Sequence, residues 1–316
     1  MVADSVRFDG QVVLVSGGGR GIGRCHSILF AERGAHVIVN DVDRDVAEAV
    51  AGEITAAGGR ATAAPGDVVD DARAIVAVGL DAGGRLDALV NNAGIASDKA
   101  FNPNAVEELQ LLLRVHTIGT VALTVAAWDA LIATKGRIVN TTSTAVVGLM
   151  HATAYAAAKG AVLGFTRSLA IEAAEVNVRV NAVMPMARTR MYEIAGGDVG
   201  SEQDVWMQHN FPPELIAPTV VFLASDQAPY NGQVVETSGG TTAHVLFTVT
   251  PYLPACSPEQ ARDSLAASSG HLTVINELND MLNVKMSMGS FDHGAMSRAP
   301  AARPPSGSRR AHRKLL

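Results

Sequence analysis

Short apolar runs rich in β-branched residues alternate along this chain with longer, alanine-rich stretches of mixed polarity. The runs Val12–Val15, His36–Asn40, Leu86–Asn91, Arg137–Thr141 and Val178–Val183 read as strands, with a weaker one at Arg60–Ala64 and a last one at Gln233–Glu236. Between them, Arg44–Ala57, Val106–Thr134 and Ala154–Ala174 have the length and the low Gly/Pro content of helices, and Pro213–Ser225 predicts another. Such βα alternation predicts an α/β fold over residues 1–250: one doubly wound parallel sheet of about seven strands with helices on both faces. Residues 192–212, with Gly196, Gly197 and Gly200, break the rhythm, and a substrate lid is expected near 190–212. From about residue 251 the alternation stops. Residues 251–286 form a C-terminal extension in which 258–283 can be helical, and 287–316, made of Gly, Ser, Pro and Arg, predict a disordered basic tail.

Composition narrows the function classes. Of 316 residues 48% are hydrophobic and 4% aromatic, which suits a buried sheet and weakens any case for stacking nucleic-acid bases. The net charge of −6 includes a tail carrying Arg298, Arg303, Arg309, Arg310, Arg313 and Lys314 without an acid, so the body is more acidic still. An acidic body disfavours phosphate backbones, and no nucleic-acid partner is expected. Cys25 and Cys256 have no metal or redox spacing, and no metal is expected. Neither a signal peptide nor an apolar run of the ~18 residues that span a bilayer is evident, so the chain reads as soluble, cytoplasmic and without a membrane partner.

Candidate chemistry begins directly after the first strand, at Ser16-Gly17-Gly18-Gly19-Arg20-Gly21-Ile22-Gly23, followed by a helical segment. Glycines there let a pyrophosphate approach the backbone at a helix N-terminus and let the helix pack close to the sheet. This is the Rossmann arrangement, and Gly17, Arg20, Gly21, Ile22 and Gly23 are expected to touch the cofactor. Asp41, after the second strand, can accept hydrogen bonds from both ribose hydroxyls of NAD and would repel a 2′-phosphate. Arg20 can in principle offset that repulsion; the position of Asp41 favours NAD.

Three further segments carry a family resemblance. Asn91-Asn92-Ala93-Gly94 follows the fourth strand, Ser143 precedes Tyr155, and Tyr155-Ala156-Ala157-Ala158-Lys159 opens a helix. With the glycine loop, and in this order, they resemble the short-chain dehydrogenases over roughly residues 7–245. The chemistry is consistent in its own right. A tyrosine with a pKa of about 10 is a poor base at neutral pH, but Lys159 lies four positions on, on the same helix face. A cation ~4 Å away is worth about 4 kcal/mol at an effective dielectric near 20, enough to bring a phenol towards neutrality. Ser143 can hold the substrate oxygen. The resemblance further implies that Asp67 and Val68 contact the adenine, that Asn91, Ala93 and Gly94 run beside the adenosine ribose, and that Pro185 and Thr189 hold the nicotinamide carboxamide. It also implies a homo-tetramer built on helices near 104–134 and 153–175.

Two positions depart from the family's commonest pattern. His116-Thr117-Ile118-Gly119 stands where the family has Asn-x-x-Gly; His116 is expected to hold a water in the proton path from the lysine or to carry the proton itself. Pro185-Met186 replaces Pro-Gly. Val115-His116 with Gly119, Ala126-Ala127-Trp128, Ala187-Arg188-Thr189-Arg190-Met191 and Pro212-Pro213-Glu214-Leu215 resemble the hydroxyacyl-CoA dehydrogenase part of peroxisomal multifunctional enzymes and their bacterial relatives. An insertion common there after the second strand is missing here, and Leu149, Met150 and His151 replace a more polar stretch. The expected function is NAD-dependent interconversion of a secondary alcohol and a ketone, on a 3-hydroxyacyl-CoA or hydroxysteroid-like substrate. The alternative is a catalytically silent NAD sensor, and the basic tail leaves room for a partner-binding role.

Overall fold

The computed structural model describes residues 5–97, 100–103, 105–194, 197–250, 253, 257–267, 272–275 and 280. The chain divides into two compact units, Met1–Val245 and Leu246–Leu316. The first holds an eight-stranded sheet of order β3-β2-β1-β4-β5-β6-β7-β8. Its strands are β1 Val12–Val15, β2 His36–Val39, β3 Arg60–Ala63, β4 Ala88–Asn91, β5 Arg137–Thr141, β6 Arg179–Met186, β7 Val234–Ser238 and β8 Thr241–His244. All pair in parallel except β8, which turns back antiparallel on β7 through Gly239 and Gly240, both at positive φ. That eighth strand exceeds the expected count. All four of its residues are exposed, so no buried face marked it in the sequence.

Alternation within each strand sends side chains to two cores. Val13, Val15, Val37, Val39 and Val90 face Phe30 of α1 (Gly21–Glu32), Val50 and Ile54 of α2 (Arg44–Ala56), and Val220. Val12, Leu14, Ile38, Leu89 and Ile138 face Ile75 of α3 (Ala72–Gly83), with Leu123, Leu131 and Ala173. Sequence order reverses across β1 and β4, and ligands of such sheets sit in the crevice beyond the carboxyl ends of strands at this point.

The long helix expected over Val106–Thr134 is a composite rod: α4 Ala105–Leu112, a π-helical segment Leu113–Ile118, and α5 Gly119–Thr134. By length and apolar content the rod reaches a membrane span, beyond the sequence expectation. Its inner residues Leu123, Ala127 and Leu131 are packed in the sheet core, while Leu111, Ile118 and Val125 face outward. The next helix, α6, runs Thr153–Ala174. The lid region contains α7 Arg190–Ile194 and α8 Glu202–Asn210; the Ser201 hydroxyl caps α8 by accepting from the Asp204 N–H at 3.1 Å. A 3-10 turn, Pro213–Ile216, leads into α9 Ala217–Leu223. In the second unit, β9 Thr248–Val249 pairs antiparallel with β10 Thr273–Val274, and α10 covers Pro258–Ala267. Cys256 and the expected tail 287–316 lie outside the described residues.

Candidate active site

The glycine loop is shaped by its neighbours across the β1/β4 crevice. Gly17 has φ +60°, and a Cβ there would sit 2.8 Å from Ala93 Cα; one on Gly23 would sit 2.0 Å from Gly17 O. Asn92 Nδ2 donates to Ser16 O at 3.0 Å and Gly17 O at 3.1 Å, and Ser16 Oγ accepts from the N–H groups of Asn92 and Ala93. These bonds lace the tips of β1 and β4 together. Among the described residues no side chain caps the start of α1 and no acid sits in its first turn, so its N–H groups are available to an anion.

At one end of the crevice Asp41 is 8% exposed and its Oδ1 accepts from the Asp43 N–H at 3.2 Å. Arg20, the cation that could have met a 2′-phosphate, is paired with Asp43 at 2.7 Å. Asn40 donates through Nδ2 to Ala64 O and Gly66 O, which sets the Gly66–Val68 loop against the cleft. Asp67 turns its Oδ1 to the N–H groups of Val69 and Asp70.

The other end is built on β5 and α6. Lys159 is buried and donates from Nζ to Thr141 O at 2.7 Å, and Thr142 Oγ1 donates to Lys159 O at 2.8 Å. Burial lowers the Lys159 pKa to about 7. Tyr155 is hydrogen-bonded to Ser143; burial raises its pKa, and the Ser143 bond offsets only part of that. The expected lysine-lowered phenol is therefore corrected for this cleft. Lys159 Nζ lies 5.8 Å from the Tyr155 ring centroid, and desolvation is the largest influence on the phenol. His116, carried by the π segment, meets Tyr155 edge-on with centroids 5.3 Å apart. Its Nε2 lies 2.9 Å from Ile95 O, nearer than the 3.3 Å from the Ile95 N–H, so Nε2 is assigned as the donor. Nδ1 is then an acceptor, buried and unpartnered among the described residues. Burial, then Lys159, hold the His116 pKa well below the usual histidine value. Gly94 makes room for this ring: a Cβ there would be 2.5 Å from His116 Cε1.

Together these residues line one cleft of about 650 Å³. It brings together Gly17, Arg20, Gly21, Ile22, Asp41, Asp67, Val68, Ala93, Gly94, His116, Tyr155, Lys159, Pro185 and Thr189. Three expected residues are not in its wall. Gly23 packs under Gly17, and Ser143 is held by its Oγ accepting from the Ala145 N–H at 3.1 Å. Asn91, expected beside the ribose, instead donates its amide to Asn140 at 2.8 Å and Thr124 at 3.1 Å inside the sheet, because the last residue of β4 points into the layer. Its neighbour Asn92 faces the cleft, as do Thr141 and Thr142, which sequence reasoning had given no role, and the α7 residues Arg190, Met191, Tyr192 and Ile194 of the expected lid. Alternation along β4 was the signal available for Asn92. Among the described residues no cluster of three His, Cys, Asp or Glu side chains can hold a metal.

A glycine loop on a β1/β4 crevice, facing a half-buried tyrosine and a buried lysine on α6, defines a dinucleotide-dependent oxidoreductase. The chain belongs to the short-chain dehydrogenase family, whose description, short chain dehydrogenase, matches residues 11–194. It is 41% identical over 228 residues to the peroxisomal hydratase-dehydrogenase-epimerase of Neurospora crassa, covering 72% of this chain and 24% of that one. A second relative, the (2S)-[(R)-hydroxy(phenyl)methyl]succinyl-CoA dehydrogenase subunit BbsD of Thauera aromatica, is 34% identical, covering 73% of this chain and 96% of the subunit. Among solved structures, a 7α-hydroxysteroid dehydrogenase with NADH and 7-oxo glycochenodeoxycholic acid superposes with a TM-score of 0.68 at 29% identity, covering 76% of this chain and 97% of the other. The chain is thus related to the dehydrogenase part of the peroxisomal multifunctional enzymes, and spans about a quarter of the Neurospora protein's length.

Proposed function

We propose that this protein is an NAD-dependent dehydrogenase that interconverts a secondary alcohol and a ketone on a hydroxyacyl-CoA or hydroxysteroid-like substrate. The observation that carries the reading is that Asp41, the uncapped start of α1 and the Tyr155–Lys159 pair line one continuous cleft. The residues present fit a dinucleotide: free N–H groups for the pyrophosphate, a loop that side chains would fill, and a carboxylate at the ribose end. When bound, NAD would supply the acceptor for the carbinol hydride.

The chain's own residues handle the proton. Ser143 holds Tyr155 and the substrate oxygen in line, and Tyr155 takes the hydroxyl proton as its own phenol proton leaves along the path to the neutral Lys159 amine. Lys159, with a pKa near 7, can exchange its proton close to neutrality and passes charge on behind the phenol. The free lone pair of His116 Nδ1 accepts from a water at the buried end of this path. Exposed Val147, Leu149 and Met150 between β5 and α6, with Met191 and Ile194 in the cleft wall, favour an apolar acyl chain or ring system. The Thauera relative's CoA thioester and the steroid in the solved neighbour support that class.

The test is NADH formation across a panel of 3-hydroxyacyl-CoA thioesters and hydroxysteroids. Turnover should fall by ~100-fold or more in Tyr155→Phe; a variant as active as the parent removes the assignment. A homo-tetramer is proposed on the outward stripe Leu111, Ile118 and Val125 and the small exposed residues Ala157, Gly164 and Ser168 of α6, which permit close helix approach. Light scattering that reports a monomer at micromolar concentration contradicts it.

A further inference from the structure

Each cationic side chain in the cleft wall but one has a partner among the described residues. Arg20 is paired with Asp43, and Lys159 donates to Thr141 O. Arg190, exposed at the start of α7, lines the cleft with no such partner. Its position is built. The preceding Arg188 is 14% exposed and donates to the fully buried Asp204 through Nε at 2.8 Å and Nη2 at 3.2 Å, and to Glu193 at 2.5 Å. Asp204 also accepts from the Gly200 N–H at 2.9 Å and from Gln208 at 3.0 Å. This lattice binds α7 to α8 and occupies Glu193, the acid nearest Arg190 in sequence. Thr189, between the two arginines, packs on the glycine loop: a Cβ on Gly21 would lie 3.5 Å from its Cγ2.

We infer that Arg190 binds the diphosphate of a ligand held in this cleft and thereby joins the lid to the glycine loop. The inference rests on the dinucleotide reading above. An exposed arginine is ordinary; an unpaired one placed one residue from the contact with the first turn of α1 is less so. A helix N-terminus supplies only about half a positive charge, so a diphosphate resting there remains largely unneutralised. A guanidinium matches two phosphate oxygens with its planar fork, which an ammonium does not. Two molecules of the proposed reaction carry a diphosphate: the dinucleotide and an acyl-CoA. The Thr189 contact with Gly21 favours the dinucleotide.

Equilibrium titrations with NADH and with coenzyme A, followed by fluorescence and calorimetry at low ionic strength, test this on the full chain, with adenosine as the phosphate-free control. Arg190→Ala should weaken NADH by about tenfold, with less loss at high salt, and leave adenosine unchanged. Arg190→Lys should recover only part of the loss. Weakened coenzyme A with unchanged NADH would assign the diphosphate to the substrate. Parent-like affinity for both ligands overturns the inference and leaves the dinucleotide reading standing. Equal loss for adenosine also overturns it, since the lid would merely have shifted. A parent protein that binds neither diphosphate overturns both readings.

Discussion

Replacing Asp41 with serine tests cofactor choice where the structure makes it most explicit. The carboxylate is nearly buried, is held by the Asp43 N–H at 3.2 Å, and lies against the glycine loop, its Oδ2 2.8 Å from where a Cβ on Gly19 would be. A 2′-phosphate entering here would come within ~4 Å of it, and each unit of its charge would cost about 4 kcal/mol at an effective dielectric of 20. That corresponds to roughly a thousandfold in affinity. Arg20 does not cancel this in the parent protein, because its guanidinium is paired with Asp43. That pair is about half exposed on both sides, so it holds Arg20 only weakly and can yield to a phosphate once Asp41 is gone. The assay is kcat/KM for NAD and for NADP with one alcohol at fixed low ionic strength. Asp41→Ser should lower the NAD:NADP ratio by ~100-fold or more, through gain with NADP and through loss of the ribose hydrogen bonds with NAD. A further Asp43→Ser should move it further the same way by freeing Arg20. A ratio that stays within twofold of the parent's, or a parent that prefers NADP, refutes the reasoning.

Two other outcomes follow from buried titrating groups. Burial keeps the Tyr155 phenol protonated at neutral pH and brings Lys159 to about 7, so alcohol oxidation should climb as pH rises through neutrality while ketone reduction falls; a flat kcat/KM profile in both directions contradicts the proton path. His26 in α1 is fully buried, neither ring nitrogen has a partner among the described residues, and burial lowers its pKa from 6.5 to about 3. Protonation therefore favours the unfolded chain. The stability this histidine permits is complete above about pH 6.5 and declines towards pH 3, by up to ~5 kcal/mol. Urea denaturation of His26→Leu should show a smaller loss between pH 8 and pH 4.5 than the parent; equal losses would mean that the imidazole does not govern the acid limb.

Much of this molecule was legible because its strands are buried on both faces and so stand out as short apolar runs; β1 and β5 begin and end where the runs do. The glycine loop was legible for a related reason, since side chains at Gly17 and Gly23 have nowhere to go. β8 was not, because an exposed edge strand satisfies its backbone on β7 and asks nothing of its side chains. His116 was recognised as unusual, yet its place edge-on to Tyr155 depends on a π-helical turn that the periodicity of a long apolar helix does not reveal.

The order of residues by itself determined which groups are present and which neighbours share a helix face: Tyr155 with Lys159, glycines ahead of α1, an acid after β2. Only the tertiary structure decided how far those groups are desolvated, and that reversed the direction expected for the phenol, because dielectric environment is a property of everything packed around a group. It also decided that Asn92 rather than Asn91 faces the cleft, and that among the cleft's Arg and Lys side chains Arg190 is the one left without a hydrogen-bond partner among the described residues. Pairings of that kind join residues far apart in the chain, and no local pattern encodes them.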